Sequence, residues 1–138
     1  MALTNVREFN LRLSEDVDGI EERHAAFTRA VALQANADLV LGTRVDTGRA
    51  RSNWQVGEGE PPEGFDPNTY DAIGRGIEGG SVRDALAENA RAISEMSGQS
   101  VIWLHNGVPY IGILEGLDKM LVGTVTALKT WLDGRRLT

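Results

Sequence analysis

At 138 residues the chain can bury one ordinary hydrophobic core but not two, so a single domain over residues 1–138 is expected. A hydrophobic share of 41% and a charged share of 25% sit near globular averages and exclude wholesale disorder. A net charge of -6 works against a surface built to grip nucleic acid, because contacts to phosphate supply most of that affinity.

The first element is a long helix from Ser14 to Gly42. Val17, Ile20, Phe27, Val31 and Leu39 recur at three-four spacing, with His24 and Ala35 filling the remaining steps. Ser14 reads as an N-cap followed by Glu15 and Asp16 in the acid-favouring first turn, and Gly42 as the stop. At about 1.5 Å per residue this rod is roughly 40 Å long, which is too long for one small core and points to packing on a neighbouring chain.

Thr47-Gly48-Arg49 begins a tight turn or short helix leading into a strand near Asn53 to Val56. In the turn, Asp46 or Thr47 is expected to accept backbone N–H bonds as a cap, and Gly48 to take a conformation costly for other residues. Arg49 and Arg51 should project outward, and Trp54 should anchor the core or an interface. Residues 57–80 then hold seven Gly, three of the four Pro and six acidic residues, a composition that cannot bury a continuous apolar face. They read as a flexible acidic loop with a short strand at Tyr70 to Ile77.

A second helix starts at the capping-box-like pair Ser81 and Asp84 and runs through Leu86, Ala90 and Ile93 to a stop at Gly98. Val101, Ile102, Trp103 and Leu104 show no alternation, so residues 100–105 read as a strand covered on both faces, ended by a turn at Asn106-Gly107. The third helix, from Leu117 to Asp133, has the cleanest amphipathic spacing of the chain in Leu117, Leu121, Val125, Leu128 and Leu132. Gly134 lies past its end, and Arg135 and Arg136 complement its negative terminus. The fold class that follows is α+β: a long N-terminal helix, a small, mostly antiparallel sheet, and two further helices, the last amphipathic.

With no cysteine, disulfides, thiolate metal ligands and thiol nucleophiles are excluded, and a reducing cytosol suits the chain. Asn5, Arg7, Glu8 and Asn10 interrupt any apolar leader core. The uncharged run from Met96 to Leu114 is about membrane length but contains Gln99, His105, Asn106 and Pro109, so it reads as core with no membrane role. Twelve of the fourteen basic residues are Arg, against only Lys119 and Lys129. Arg is the cation better suited to bidentate pairing across a subunit contact.

Asp46-Thr47-Gly48 is the tripeptide of aspartic proteases, in which two carboxylates share a proton. Here Arg44 and Arg49 flank it, and guanidinium neighbours oppose a shared proton, so a structural turn is the stronger reading. Gly74-Arg75-Gly76-Ile77-Glu78-Gly79 matches G-x-G-x-x-G but lacks the strand that must lead into it, and its surroundings are acidic. It reads as a hinge. His24 and His105 have no second ligand at metal spacing, no Ser-His-Asp set is recognisable, and Glu115 ahead of a helix reads as a cap or an intersubunit ion-pair partner. No metal and no cofactor are expected.

Two segments point further. Val45 to Trp54, with Asp46, Thr47, Gly48, Arg49 and Arg51, and Asn106 to Gly116, with Asn106, Tyr110 and Glu115, resemble the signature of a tailed-bacteriophage neck and tail-completion (minor tail component) family. Members of that family often read Val-Asp-Thr-Gly-Arg-Leu-Arg and Asn-x-x-x-Tyr-Ala-x-x-x-Glu-x-Gly. Ala50 replaces Leu, Ile111 stands where Ala is common, and Gly116 arrives one residue early. The resemblance implies a non-enzymatic virion protein, assembled in the bacterial host cytoplasm as a homo-oligomeric ring at the head-tail junction. Connector or head-closure proteins would flank the ring on one side and the tail terminator or tail tube on the other, with DNA passing through the lumen without sequence-specific binding. Tail-terminator or head-closure function at the same junction is the alternative within that class. A dimeric hydrolase using Asp46, or an adaptor acting through the acidic loop, is the alternative outside it.

Overall fold

A computed structural model describes residues 2–134, with side chains from Val6 onward. The architecture is α+β. Helix α1 (Ala2–Gly42) leads through a four-residue helix α2 (Arg49–Ser52) into strand β1 (Trp54–Glu58). After the loop come β2 (Thr69–Tyr70) and β3 (Ser81–Val82), then α3 (Ala85–Glu95), β4 (Ile102–Asn106), α4 (Ile111–Asp118) and α5 (Met120–Gly134). β1 and β4 pair antiparallel, with Trp54 opposite Asn106 and Glu58 opposite Ile102. β2 and β3 form a separate parallel pair with Thr69 opposite Ser81.

The core is small and lies where the C-terminal half of α1 meets β1, α3 and α5. Leu39, Val40, Trp54, Ala85 and Met120 are buried together, with Leu86, Leu104, Ile111 and Leu114 packed against them. Polar pairs reinforce the contact between α1 and α3. Asn36 Nδ2 donates to the Leu86 carbonyl at 3.2 Å, and Asn89 Nδ2 donates both to Asn36 Oδ1 at 3.1 Å and to the Trp54 carbonyl at 2.9 Å. Buried amides need such partners, and here each bond also ties two elements together. Arg29 closes the far end by donating to the Met96 and Ser97 carbonyls, which the end of α3 leaves unpaired.

Several boundaries differ from the sequence expectations for identifiable reasons. α1 begins at Ala2 rather than Ser14, because Val6, Phe9 and Leu13 continue the same three-four spacing upstream of the supposed cap. The strand expected at 53–56 occupies Trp54–Glu58, and the one expected at 70–77 is only Thr69–Tyr70. Ser81 lies in β3, and the cap of α3 is Asp84, whose carboxylate accepts from Ala87 N at 3.1 Å. β4 is not covered on both faces, since Trp103 is 41% exposed on a sheet of only two strands.

The third expected helix is two helices, broken where Lys119 adopts a left-handed backbone (φ 50°). Glu115 stabilises the break: its carboxylate accepts from Leu121 N at 2.8 Å and Val122 N at 3.4 Å, capping the first turn of α5. The covered face also differs from the expected one. Met120 and Thr124 are buried and Trp131 stacks on Phe27 with ring centroids 6.5 Å apart, while Leu117, Leu121 and Val125 of the expected core stripe are exposed. Arg135 and Arg136 lie outside the described residues. No helix among the described residues is long and apolar enough to cross a membrane.

Candidate functional site

The two motif segments are more than fifty residues apart in sequence and adjacent in space. Asn106, at the end of β4, donates through Nδ2 to the Ala50 carbonyl at 2.7 Å and accepts from Val108 N at 3.1 Å. It therefore pins α2 and starts the turn that leads into α4. Tyr110, the residue before α4, is thereby held over the first segment. Arg44, Asp46, Thr47, Gly48, Arg49, Ala50, Tyr110 and Leu114 enclose a hollow of about 410 Å³.

Gly48 is the geometric key to the first segment. Its φ of 90° suits glycine, and a Cβ there would come within 2.6 Å of Asp71 N. That close approach lets residues 46–48 bond to the acidic loop: Gly48 O accepts from Asp71 N at 3.0 Å, Asp46 O from Arg75 N at 2.8 Å and Thr47 O from Gly76 N at 3.1 Å. The glycine-rich run 74–79 is thus a turn seated on the motif. A Cβ on Gly74 would overlap the Thr47 carbonyl.

The other motif side chains take specific partners. Thr47 Oγ1 accepts from Arg49 N at 3.3 Å, and Arg49 Nε donates to the Pro67 carbonyl at 3.1 Å. Asp46 does not act as the cap; it is exposed and ion-paired with Arg75. Arg51 does not project outward. Its Nε lies 3.3 Å from Asp71 Oδ2 with both side chains largely shielded, and Asp71 Oδ1 accepts from Ile73 N at 3.0 Å. Trp54 is a core anchor, with its indole donating to Thr43 Oγ1 at 2.7 Å and Thr43 Oγ1 donating in turn to the Leu39 carbonyl at 2.6 Å. Burial pushes the Tyr110 phenol above its ordinary value. The Arg49 guanidinium beside it pulls down, Asp46 pushes up, and the net shift is upward, so the neutral phenol is the form the fold favours.

Chemically the charged side chains that line the hollow each have a partner. Arg44 pairs with Asp118 at 2.7 Å, Asp46 with Arg75, and Arg49 with the Pro67 carbonyl. Glu115, on the same helix as Leu114, is turned away to cap α5. Among the described residues no group of three or more His, Asp or Glu side chains is arranged to hold a metal ion.

The residues that do most to hold this region were not singled out in the sequence. Arg83 Nη1 donates to the Ser52 carbonyl and, at 2.7 Å, to the Trp54 carbonyl, while Nη2 donates to Asn89 Oδ1 at 3.1 Å. Asn53 clamps the start of the β2 turn, donating to the Asp66 carbonyl at 2.9 Å and accepting from Asp66 N at 2.7 Å. One signal was available. Asn36 and Asn89 interrupt the apolar stripes of their helices, and a polar residue at a core position demands a partner. No family model matches this chain, and no curated protein or solved structure matches it.

Proposed function

We propose that this chain is a structural virion protein of the head-tail junction of a tailed bacteriophage, a ring-forming neck or tail-completion subunit rather than an enzyme. The observation that carries the reading is the meeting of the two motif segments: Asn106 bonds to Ala50 and Tyr110 lies over Arg49, so residues that resemble one family signature form one structural unit. Asp46, the residue an aspartic hydrolase would need, is ion-paired with Arg75 in the open. The acidic balance suits a ring whose lumen passes DNA without binding it. Connector or head-closure proteins are the partners on one side and tail-terminator or tail-tube proteins on the other, and the protein acts in the virion after assembly in the host cytoplasm.

The test is deletion of the gene from the phage genome that carries it. Filled heads and finished tails should accumulate unjoined, and complementation should restore joining. Normal infectious particles from the deletion would end this reading.

A further inference from the structure

We infer that the hollow between the end of α1 and the junction of α4 and α5 binds a hard divalent cation of the calcium and magnesium class, held by Asp38, Asp118 and Thr124. Such a site is independent of the neck reading.

The hollow has a volume of about 390 Å³, and Asp38, Leu41 and Gly42 from α1 line it together with Asp118, Lys119 and Thr124. Each carboxylate is held through one oxygen and leaves the other over. Asp38 Oδ1 accepts from Gln34 Nε2 at 3.2 Å, and Asp118 Oδ1 pairs with Arg44 at 2.7 Å. The second oxygen of each, Oδ2, is buried and meets no hydrogen-bond donor among the described residues. A buried anionic oxygen without a partner is costly, and two carboxylates on one hollow repel each other as well.

Thr124 points the same way independently. It is 6% exposed, and its Oγ1 also has no partner among the described residues. A threonine within a helix can turn its hydroxyl back to the carbonyl four residues earlier, as Thr126 does to Val122 at 2.9 Å and Thr130 to Thr126 at 3.1 Å in the same helix. Thr124 makes no such bond, so its hydroxyl is left for whatever fills the hollow it lines. The backbone adds to the same field. Thr43 takes the closing carbonyls of Leu39 and Val40, whereas Leu41 and Gly42 line the hollow at the negative end of α1, whose last turn carries no basic residue.

The donor atoms select the ligand. Carboxylate, hydroxyl and helix-end carbonyl oxygens are hard donors, which suit calcium or magnesium better than zinc or copper. Water would satisfy hydrogen bonds but leave the carboxylate charge in place, and a divalent cation neutralises it. These ions complete their shells with water, so two carboxylates suffice. Arg44 already offsets part of the Asp118 charge, which sets the affinity in the weak range of about 10⁻⁴–10⁻³ M. A bound ion would tie the end of α1 to the break between α4 and α5.

The test is calorimetric titration of the chelator-treated chain with calcium chloride and, separately, with magnesium chloride. One ion per chain should bind from at least one of the two salts. Asp38→Asn, which keeps the size of the side chain, should weaken binding roughly tenfold or more, and the equally conservative Thr124→Val by a smaller factor. Glu95→Gln, at an exposed acid on α3, should leave it unchanged. Manganese locates the site in the wild type without any variant: at trace concentration it should first broaden the amide signals of residues 38–42 and 118–124. Lack of saturable binding from either salt, or equal binding by Asp38→Asn, would overturn the inference. So would broadening that falls first on the acidic stretches 15–22 or 58–66. Binding that emerges only in Lys119→Met would place the chain's own ammonium between the carboxylates, and would overturn it too.

Discussion

The two halves of α1 share one helix and one apolar spacing, yet they live in different solvents. From Ala25 to Gly42 the helix is walled by α3, β4 and α5, with Ala32, Ala35, Leu39 and Val40 buried. From Val6 to His24 the same stripe faces water. Periodicity therefore reports that a face is apolar but not which body covers it. The free half also has little to hold it, because isolated helices of that length are marginal and most helical stability comes from a packed face. Order in that half should depend on a partner, whereas order in the other half is intrinsic to the chain.

The largest effect that sharpens this contrast is Leu39→Ala, which opens a cavity in the core and should cost about 2–5 kcal/mol in urea unfolding of the free chain. Leu13→Ala, the same chemistry on the same helix, should stay within about 0.5 kcal/mol there. Comparable losses at both sites would erase the distinction between the halves. Next is Gly48→Ala, which combines a left-handed backbone with a clash against Asp71. It should cost more than about 1 kcal/mol and loosen residues 71–76 in hydrogen exchange.

Smaller effects follow at the surface. Asp46→Ala should change stability by only about 0–1 kcal/mol, the value of an exposed ion pair, because the backbone carbonyl of Asp46 rather than its carboxylate holds the loop. Limited proteolysis should cut first within 59–65 and the free half of α1, and later within 68–76, where hydrogen bonds to the motif hold the backbone.

The last prediction concerns acid. Partial desolvation pushes the Glu58 carboxyl up, but N–H bonds from Gly98 and Ser97, the Ser97 hydroxyl and the nearby Arg29 charge outweigh it, leaving the folded value lowered. A carboxylate with a lowered folded value adds stability above its unfolded value and loses that addition as pH falls through the folded one. Stability should therefore drop as pH falls below the ordinary Glu range near ~4.3, with a shallower slope in Glu58→Gln. An unchanged slope would remove Glu58 from the account.

Much of the fold was legible because it is written in local patterns: the long first helix, the strands around 54–58 and 102–106, and the helix through Leu86 and Ile93. The two misplaced helix starts share one cause. Ser14 and Ser81 resemble caps, but a cap is defined by a backbone N–H in reach, and only Asp84 of the three has one. Of the candidate residues, Gly48 could be read from its turn and Trp54 from its size. Arg51 could not be placed correctly, since its inward turn depends on Asp71 arriving from the acidic loop. Arg83 was missed altogether, because the carbonyls of Ser52 and Trp54 that it satisfies come from a strand entry thirty residues earlier.

By itself, the sequence determined the kinds of elements, their order, the Gly48 turn and the presence of apolar helix faces, all consequences of backbone sterics and periodicity along the chain. Only the tertiary structure decided which faces are covered, that the loop from 68 to 76 is seated on the 46–48 turn, and that Asn106 and Tyr110 complete the first motif. Those outcomes depend on backbone donors and acceptors meeting across tens of residues, and on which side of the C-terminal helices meets the rest of the fold: Met120 and Thr124 are buried while Leu117, Leu121 and Val125 of the most regular apolar stripe are exposed.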